Sequence, residues 1–108
     1  MIEIKGDRIN FDTFELNCEY PEQDARQIGD ILLVLYSPES FQDGQFRNLV
    51  AFDLSGCEVW KAELPTSISM DAYYQIVSEA PIVADSYCSY RCMLDAKTGK
   101  ILEKEFFK

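Results

Sequence analysis

A six-residue apolar run, Ile31–Tyr36, is the feature that most constrains the fold. Gly29 precedes the run and Pro38 follows it, and these two residues mark its ends. A short, continuous run that is rich in branched side chains is typical of a strand buried on both faces. It is too short to cross a bilayer, which takes about 20 residues in a helix. The sequence therefore predicts a central strand that is covered from both sides.

Two pairs of strand-like segments are separated by short turns and predict β-hairpins. Gly6-Asp7 is a favourable two-residue turn, and residues 54–56 form a short connection that contains glycine. We expect the second arm of the first hairpin to continue through Phe14 and Leu16. The predicted hairpins join residues 2–5 to 8–11 and residues 48–53 to 57–63.

Residues 82–94 have the longest alternating pattern and predict one continuous strand. Its buried face would carry Cys88 and Cys92, about 13 Å apart and beyond disulfide reach. After it, residues 95–99 predict a type I turn that ends at glycine. The half-solvated face of the strand would include Asp85, Tyr87, Ser89 and Arg91.

The segment 69–80 is compatible with two structures. Some of its residues recur at helical spacing, and Pro81 would end the helix. Residues 73–77 are, however, rich in strand formers, and predicted hairpins lie on both sides. We therefore favour a strand. The residues at helical spacing are Tyr73, Ile76, Val77 and Ala80.

These patterns predict an all-β fold in a single domain, 1–108. Antiparallel hairpins would form two blade-like sheets or a small sandwich. The alternative is an α+β fold with one short helix near 69–80. Residues 19–30 and 37–47 are interpreted as loops, because they are polar and contain proline and glycine.

Two stretches share one pattern: an apolar residue, then Asp, a short turn with Gly, and a strand with large apolar residues. Their aspartates, Asp53 and Asp95, are 42 positions apart. A period of this length is typical of propeller blades. The pattern resembles the blades of PQQ-type β-propellers. The matching residues are Phe52-Asp53, Ser55-Gly56, Val59-Trp60, Leu94-Asp95, Thr98-Gly99 and Lys100-Ile101.

This resemblance implies blade-like antiparallel sheets without quinone chemistry, because a closed propeller needs at least about four blades. Residues 84–101 are also similar to small bacterial proteins of unknown function, some of which are products of mobile elements such as integron cassettes. Asp53 and Asp95 themselves are interpreted as turn caps, with cation binding at the two turns as the alternative. We expect Trp60 to lie in the core.

The composition excludes several kinds of chemistry. Without histidine, the chain has no Ser-His-Asp triad, no histidine-activated thiol and no histidine metal ligand. Its five glycines are too far apart for a phosphate-binding loop. The cysteines form no C-x-x-C pair, so we expect reduced thiols and predict no cofactor and no metal ion. They are Cys18, Cys57, Cys88 and Cys92.

The charge of the chain bears on its partners. It has 19 acidic and 10 basic residues, a net charge of −9. Nucleic-acid binding through phosphates needs clustered Lys and Arg, so nucleic acid is excluded as a partner. The first residues lack a signal-peptide pattern, and we expect a cytoplasmic protein with no membrane partner. Because blade-like sheets have edges that need cover, we also predict a homodimer.

Two surfaces are candidate contacts for a protein partner. The first is the most acidic segment, with Glu19, Glu22 and Asp24, which would attract a basic protein. The second is the half-solvated face with Tyr87 and Arg91, since Tyr and Arg are enriched at binding hot spots. We predict a non-enzymatic protein-binding module that works as immunity proteins and nuclease inhibitors do. The alternative is a ligand-binding protein with a pocket between its sheets, or a small enzyme that uses carboxylates and tyrosines.

Overall fold

The computed structural model describes residues 3–5, 8–11, 14–17, 22–37, 46–68 and 71–106, with side chains described from Gln23 onward. Eleven strands and no helix lie within these residues. The strands are β1 (Glu3–Lys5), β2 (Arg8–Phe11), β3 (Phe14–Asn17), β4 (Glu22–Ile28), β5 (Ile31–Tyr36), β6 (Leu49–Asp53), β7 (Glu58–Lys61), β8 (Tyr73–Glu79), β9 (Ile82–Ser86), β10 (Tyr90–Leu94) and β11 (Ile101–Phe106).

The strands form three antiparallel sheets that follow one another along the chain. β1 to β3 form the N-terminal sheet, β4 to β7 the middle sheet, and β8 to β11 the C-terminal sheet. Within each sheet, every strand pairs with the next one in sequence, so each sheet is a simple meander. The predicted all-β fold is confirmed, with two sheets of four strands each.

The structure of β8 explains why its sequence also fits a helix. Two bulges interrupt its pairing with β9, one between Tyr73 and Gln75 and one between Ile76 and Ser78. A bulge adds one residue to a strand, so Tyr73 and Ile76 both reach the core although they are three positions apart. The strand predicted over 73–77 is confirmed. The helix near 69–80 is wrong for the described residues of that segment.

Residues 22–28 correct the prediction of a polar loop, because they form β4. This strand is an edge of the middle sheet, and an edge strand tolerates polar side chains where it meets solvent. The first hairpin needs a correction as well. Its second arm does not continue through Phe14 and Leu16, since β3 turns back and pairs with β2, with Phe14 opposite Phe11.

Residues 82–94 are two strands, not one. β9 ends at Ser86 and β10 begins at Tyr90, and the two pair antiparallel with Asp85 opposite Arg91. The chain reverses through Ser89, which has a φ of +69°. No glycine or proline lies in this turn, so the sequence pattern did not predict it. Cys88 therefore lies half-buried in the turn, whereas Cys92 lies on β10 and in the core.

Strand β5 is buried on both faces, as its apolar run predicted. On one side, Leu33 and Leu35 pack against the C-terminal sheet. On the other side, Leu32 and Val34 belong to a second buried cluster. Phe46 joins this second cluster, which corrects the prediction that the whole of 37–47 is surface loop; residues 38–45 lie outside the described ones. The core between the two sheets consists of Leu33, Leu35, Leu49, Ala51, Trp60, Ala62, Tyr73, Ile76, Ile82, Ala84, Cys92 and Leu94.

Asn48 joins the middle and C-terminal sheets through its side chain. Its Nδ2 donates to the carbonyl oxygens of Tyr36, at 2.9 Å, and Tyr73, at 2.7 Å. Its Oδ1 accepts from the backbone nitrogen of Tyr73 at 2.9 Å. Asn48 is completely buried, and an unsatisfied buried polar group costs about 1–3 kcal/mol. The amide thus satisfies backbone groups that strand pairing leaves open at the junction of the two sheets.

Trp60 packs against the turn between β10 and β11, which confirms its predicted place in the core. Its Nε1 donates to the carbonyl oxygen of Ala96 at 3.0 Å. Its ring lies against Gly99, where an added Cβ would come within 2.4 Å of the ring atom Cε3. Gly99 also has a φ of +72°, which glycine adopts without steric cost. Two independent constraints therefore require glycine at this turn.

The variant Gly99→Ala should destabilise the fold, because it combines a positive φ with a clash against Trp60. The positive φ costs about 1–2 kcal/mol, and overpacking adds about 1–3 kcal/mol. Gly29→Ala is the matched control, since its φ is +60° and nothing lies within 4 Å of an added Cβ. Urea unfolding should show a loss in Gly99→Ala at least twice that in Gly29→Ala. Equal losses would contradict the packing of Trp60 on Gly99.

Candidate functional site

The candidate site is the outer face of the C-terminal sheet, the side turned away from the core. Strand register places Gln75, Asp85, Arg91 and Glu105 in one row across the four strands. A second row contains Ser78, Val83, Met93 and Glu103. These eight residues define the outer face.

Asp85 anchors the first row although its side chain is completely buried. Arg91 binds both of its oxygens, with Nε to Oδ1 at 2.8 Å and Nη2 to Oδ2 at 3.0 Å. Gln75 donates to Oδ2 at 2.7 Å. Burial would raise the pKa of Asp85, but the hydrogen bonds from Arg91 and Gln75 outweigh burial and hold this pKa below its usual range. The carboxylate is therefore charged and fixes the orientation of the guanidinium.

The same ion pair leaves part of Arg91 accessible to a partner. Its side chain is 47% exposed. The hydrogen bond to Asp85 raises the pKa of Arg91, and the nearby Tyr74 adds to this effect. A bidentate arginine loses little further side-chain entropy when a partner packs on it.

Two tyrosine rings form a pair on this sheet, and one of them, Tyr74, lies close enough to Arg91 to raise its pKa. The rings of Tyr74 and Tyr87 are 5.1 Å apart between centroids and inclined by 31°. Tyr87 sits in the turn between β9 and β10 and is 55% exposed. The sequence placed Tyr87 and Arg91 on one long strand, whereas in the structure Tyr87 lies in the turn and Arg91 lies on β10, opposite Asp85. The result is an aromatic pair next to a fixed cation.

A concavity of about 230 Å³ continues the outer face towards β11. Val83 and Met93 form its apolar floor, and Arg91 borders it on one side. Glu103, Lys104 and Glu105 of β11 border it on the other. The concavity thus combines two apolar residues with two acidic and two basic ones.

Comparison with known proteins shows one family. The family is a domain of unknown function, DUF7957, and it matches residues 1–106. The chain belongs to this family. No curated protein and no solved structure matches the chain.

Membership of the DUF7957 family assigns no activity to the chain. The comparisons show no propeller family, so the likeness to PQQ-type blades stays a prediction, as does an origin on a mobile element. Within the part of the chain that the structure describes, no helix is long and apolar enough to cross a membrane.

The acidic segment of this DUF7957 chain is described only in part. Glu19 lies outside the described residues, and Glu22 is described only as the first residue of β4. Asp24 accepts a hydrogen bond from Arg26 Nε at 3.2 Å. Arg26 also donates to the carbonyl oxygen of Ile76 at 3.3 Å, so this ion pair helps to join β4 to β8. Of the three predicted acids, Asp24 therefore has a structural role.

The two patterned aspartates act as turn caps, which confirms that interpretation. Asp53 Oδ1 accepts from the backbone nitrogens of Ser55, at 2.9 Å, and Cys57, at 3.0 Å. The Ser55 hydroxyl and these nitrogens lower the pKa of Asp53. Asp95 Oδ1 accepts from the backbone nitrogen of Lys97 at 2.8 Å. Among the described residues, no group of three or more Cys, Asp or Glu could hold a metal ion.

The thiols of Cys88, in the turn between β9 and β10, and Cys92, on β10, are not activated. Burial raises the pKa of Cys88, and the nearby Asp71 adds to this effect although Thr66 opposes it. Burial likewise raises the pKa of Cys92. A reactive cysteine needs a lowered pKa, so neither thiol is poised for nucleophilic chemistry at neutral pH.

The sequence pattern placed Asp85 and Arg91 on one face of a single strand, but it did not predict that Asp85 is buried or that the two side chains pair across a turn. The contact between Tyr74 and Tyr87 and the concavity at Met93 also depend on how the strands pair, which a single strand over 82–94 cannot produce. The available signal was an Asp and an Arg six positions apart, with no glycine or proline between them.

The variant Asp85→Asn should reduce the acid sensitivity of the fold. The pKa of Asp85 is lower in the folded than in the unfolded protein, so its stabilisation is present above the unfolded value near 3.8 and is lost as the pH falls through the folded pKa. Urea unfolding between about pH 5 and pH 2 should therefore depend less on pH in the variant. Asp30→Asn, in an exposed turn, should follow the wild type; an unchanged pH dependence in Asp85→Asn would contradict this assignment.

Proposed function

We propose that the chain is a non-enzymatic protein-binding module whose contact surface is the outer face of the C-terminal sheet. The observation that carries this proposal is the exposed Tyr87 in contact with Tyr74, which in turn lies near the arginine that Asp85 holds in place. Tyr, Arg and Met are the residue types enriched at protein interfaces. Arg91 and Met93 lie on this face, and Tyr87 lies in the turn at its end.

The rigidity of the patch supports a binding role. Association costs about 0.5–1.5 kcal/mol for each long side chain that must be immobilised. Here Arg91 is already held by two hydrogen bonds, and Tyr87 is held by its neighbouring ring. The face is therefore organised before a partner arrives, which reduces the cost of binding.

The packing between the sheets supports this proposal over a ligand pocket. The space between the middle and C-terminal sheets is filled by buried, mostly apolar side chains, including Leu33, Leu49 and Ile82. The concavity on the outer face is open to solvent and joins a sheet edge, as a protein contact requires. The raised pKa values of Cys88 and Cys92 give no support to thiol catalysis.

The charge of the chain supports a basic partner, as in immunity and inhibitor proteins. The exposed Glu103 and Glu105 border the outer face, and the net charge is −9. Such a surface steers a basic protein and speeds its association at low salt. The likeness to propeller blades contributes architecture alone to this proposal.

The variant Tyr87→Ala tests the proposal. Immobilised wild-type chain should capture a defined set of basic proteins from a lysate, and Tyr87→Ala should capture them at least about ten-fold less, as expected for a hot spot. Val59→Ala on β7 is the matched control, because Val59 is also an exposed apolar side chain, 47% exposed, on a different sheet. Quantitative mass spectrometry of the captured proteins gives the readout. Capture that is unchanged in Tyr87→Ala, or reduced equally in Val59→Ala, would contradict the proposal.

A further inference from the structure

Strand β11 is an edge of the C-terminal sheet. Among the described residues it pairs only with β10. At its first residue, the backbone nitrogen of Ile101 donates to Glu63 Oε1 at 2.9 Å. Leu102 to Phe106 are all exposed. The strand therefore offers an accessible row of backbone groups along the border of the outer face.

The two sides of β11 differ in chemistry. Glu103 and Glu105 point to the outer face, opposite Met93 and Arg91 of β10. The alternate positions carry Leu102, 59% exposed, and Phe106, 61% exposed. A strand that paired with β11 would meet Glu103 and Glu105 on one of its faces, where Arg91 of β10 lies opposite Glu105, and Leu102 and Phe106 on the other.

Lys104 also lines the concavity, but its ammonium group lies away from the two glutamates. Its register partner is Cys92, which lies in the core, so the Lys104 side chain belongs to the opposite face. Its Nζ donates to the carbonyl oxygen of Pro65 at 2.9 Å and lies 5.3 Å from the centre of the Tyr90 ring. The cation is thus held away from Glu103 and Glu105.

A second copy of β11 is a poor occupant of this edge. Two identical strands that pair antiparallel about a twofold axis keep their outer faces on the same side of the joint sheet. Every register that pairs the centres of the strands then places Glu103 or Glu105 opposite a glutamate of the other copy. Like charges directly opposite one another destabilise a strand pair. A strand with basic residues at alternate positions has the complementary charge.

We propose that β11 is the docking edge for an extended basic segment of the protein partner, which adds to the C-terminal sheet as a further strand. Basic side chains of the segment face Glu103 and Glu105, and their aliphatic parts lie over Val83 and Met93 in the concavity. Apolar side chains of the segment contact Leu102 and Phe106. Backbone hydrogen bonds supply affinity, and the alternation of charge sets the register. This inference rests on the proposed function and names the form of the partner.

The test uses the whole chain and a short fluorescent peptide in which Lys and Val alternate. Fluorescence anisotropy should show that the peptide binds to the wild type. Glu105→Lys should weaken this binding by at least about ten-fold, which is the scale of close charge pairs at interfaces. Glu58→Lys is the matched control, because Glu58 is an exposed glutamate on β7, the edge of the middle sheet. Its effect should stay within about two-fold, as for exposed charges outside a contact.

A second peptide separates strand addition from simple charge attraction. Methylation of its backbone nitrogens keeps every charge but prevents donation to a neighbouring strand, so binding should be lost. Equal binding of the two peptides, or equal effects of Glu105→Lys and Glu58→Lys, would overturn the inference. So would a wild-type dimer, seen by light scattering, in which the amides of β11 are protected from hydrogen exchange.

Failure here is distinguishable from failure of the proposed function. If Tyr87→Ala abolishes capture of partners but the basic peptide does not bind, the outer face is the contact surface and the edge is not. If the peptide binds through β11 and Tyr87→Ala has no effect on capture, β11 is a docking edge and the tyrosine pair is not part of the contact surface.

Discussion

The side chain of Asn48 is the interaction on which the rest of the structure depends. It hydrogen-bonds Tyr36, where β5 ends, and Tyr73, where β8 begins, and so fixes how the middle sheet meets the C-terminal sheet. A buried amide whose NH₂ group and oxygen are both hydrogen-bonded favours one arrangement of the two sheets. An apolar side chain in its place would leave the backbone groups that it binds without partners. With the sheets placed in this way, Leu33 and Leu35 pack against Ile82 and Ala84, and the core forms between them.

This placement decides which surface is available for function. One face of the C-terminal sheet packs into the core, and its outer face lies towards solvent. That face nevertheless contains a completely buried carboxylate, Asp85, and burying a charge is costly unless it is paired and hydrogen-bonded. Arg91 and Gln75 supply those bonds. The same bonds fix the side chain of Arg91, which is part of the proposed contact surface.

The parts of the fold that follow from local chemistry could be predicted from the sequence. The apolar run of β5, the hairpin between β6 and β7, and the glycine turn at Gly99 each depend on nearby residues alone. Three features could not be predicted because distant contacts decide them. β4 is a strand because its polar residues lie at a sheet edge, the turn at Ser89 lacks a marker residue, and Asp85 is buried only because Arg91 pairs with it across that turn. Tyr87 and Arg91, predicted on one face of a single strand, lie in the turn after β9 and on β10 respectively.

The central claim is that the outer face and the β11 edge of the C-terminal sheet form the contact surface of this chain. Hydrogen exchange of the chain, alone and in complex with a captured partner, tests this claim most directly. Slower exchange on binding at residues 87–91 and 101–106, with β7 of the middle sheet unchanged, is the result that the claim predicts. Protection that appears at β4 or β7 and leaves the C-terminal sheet unchanged would contradict it.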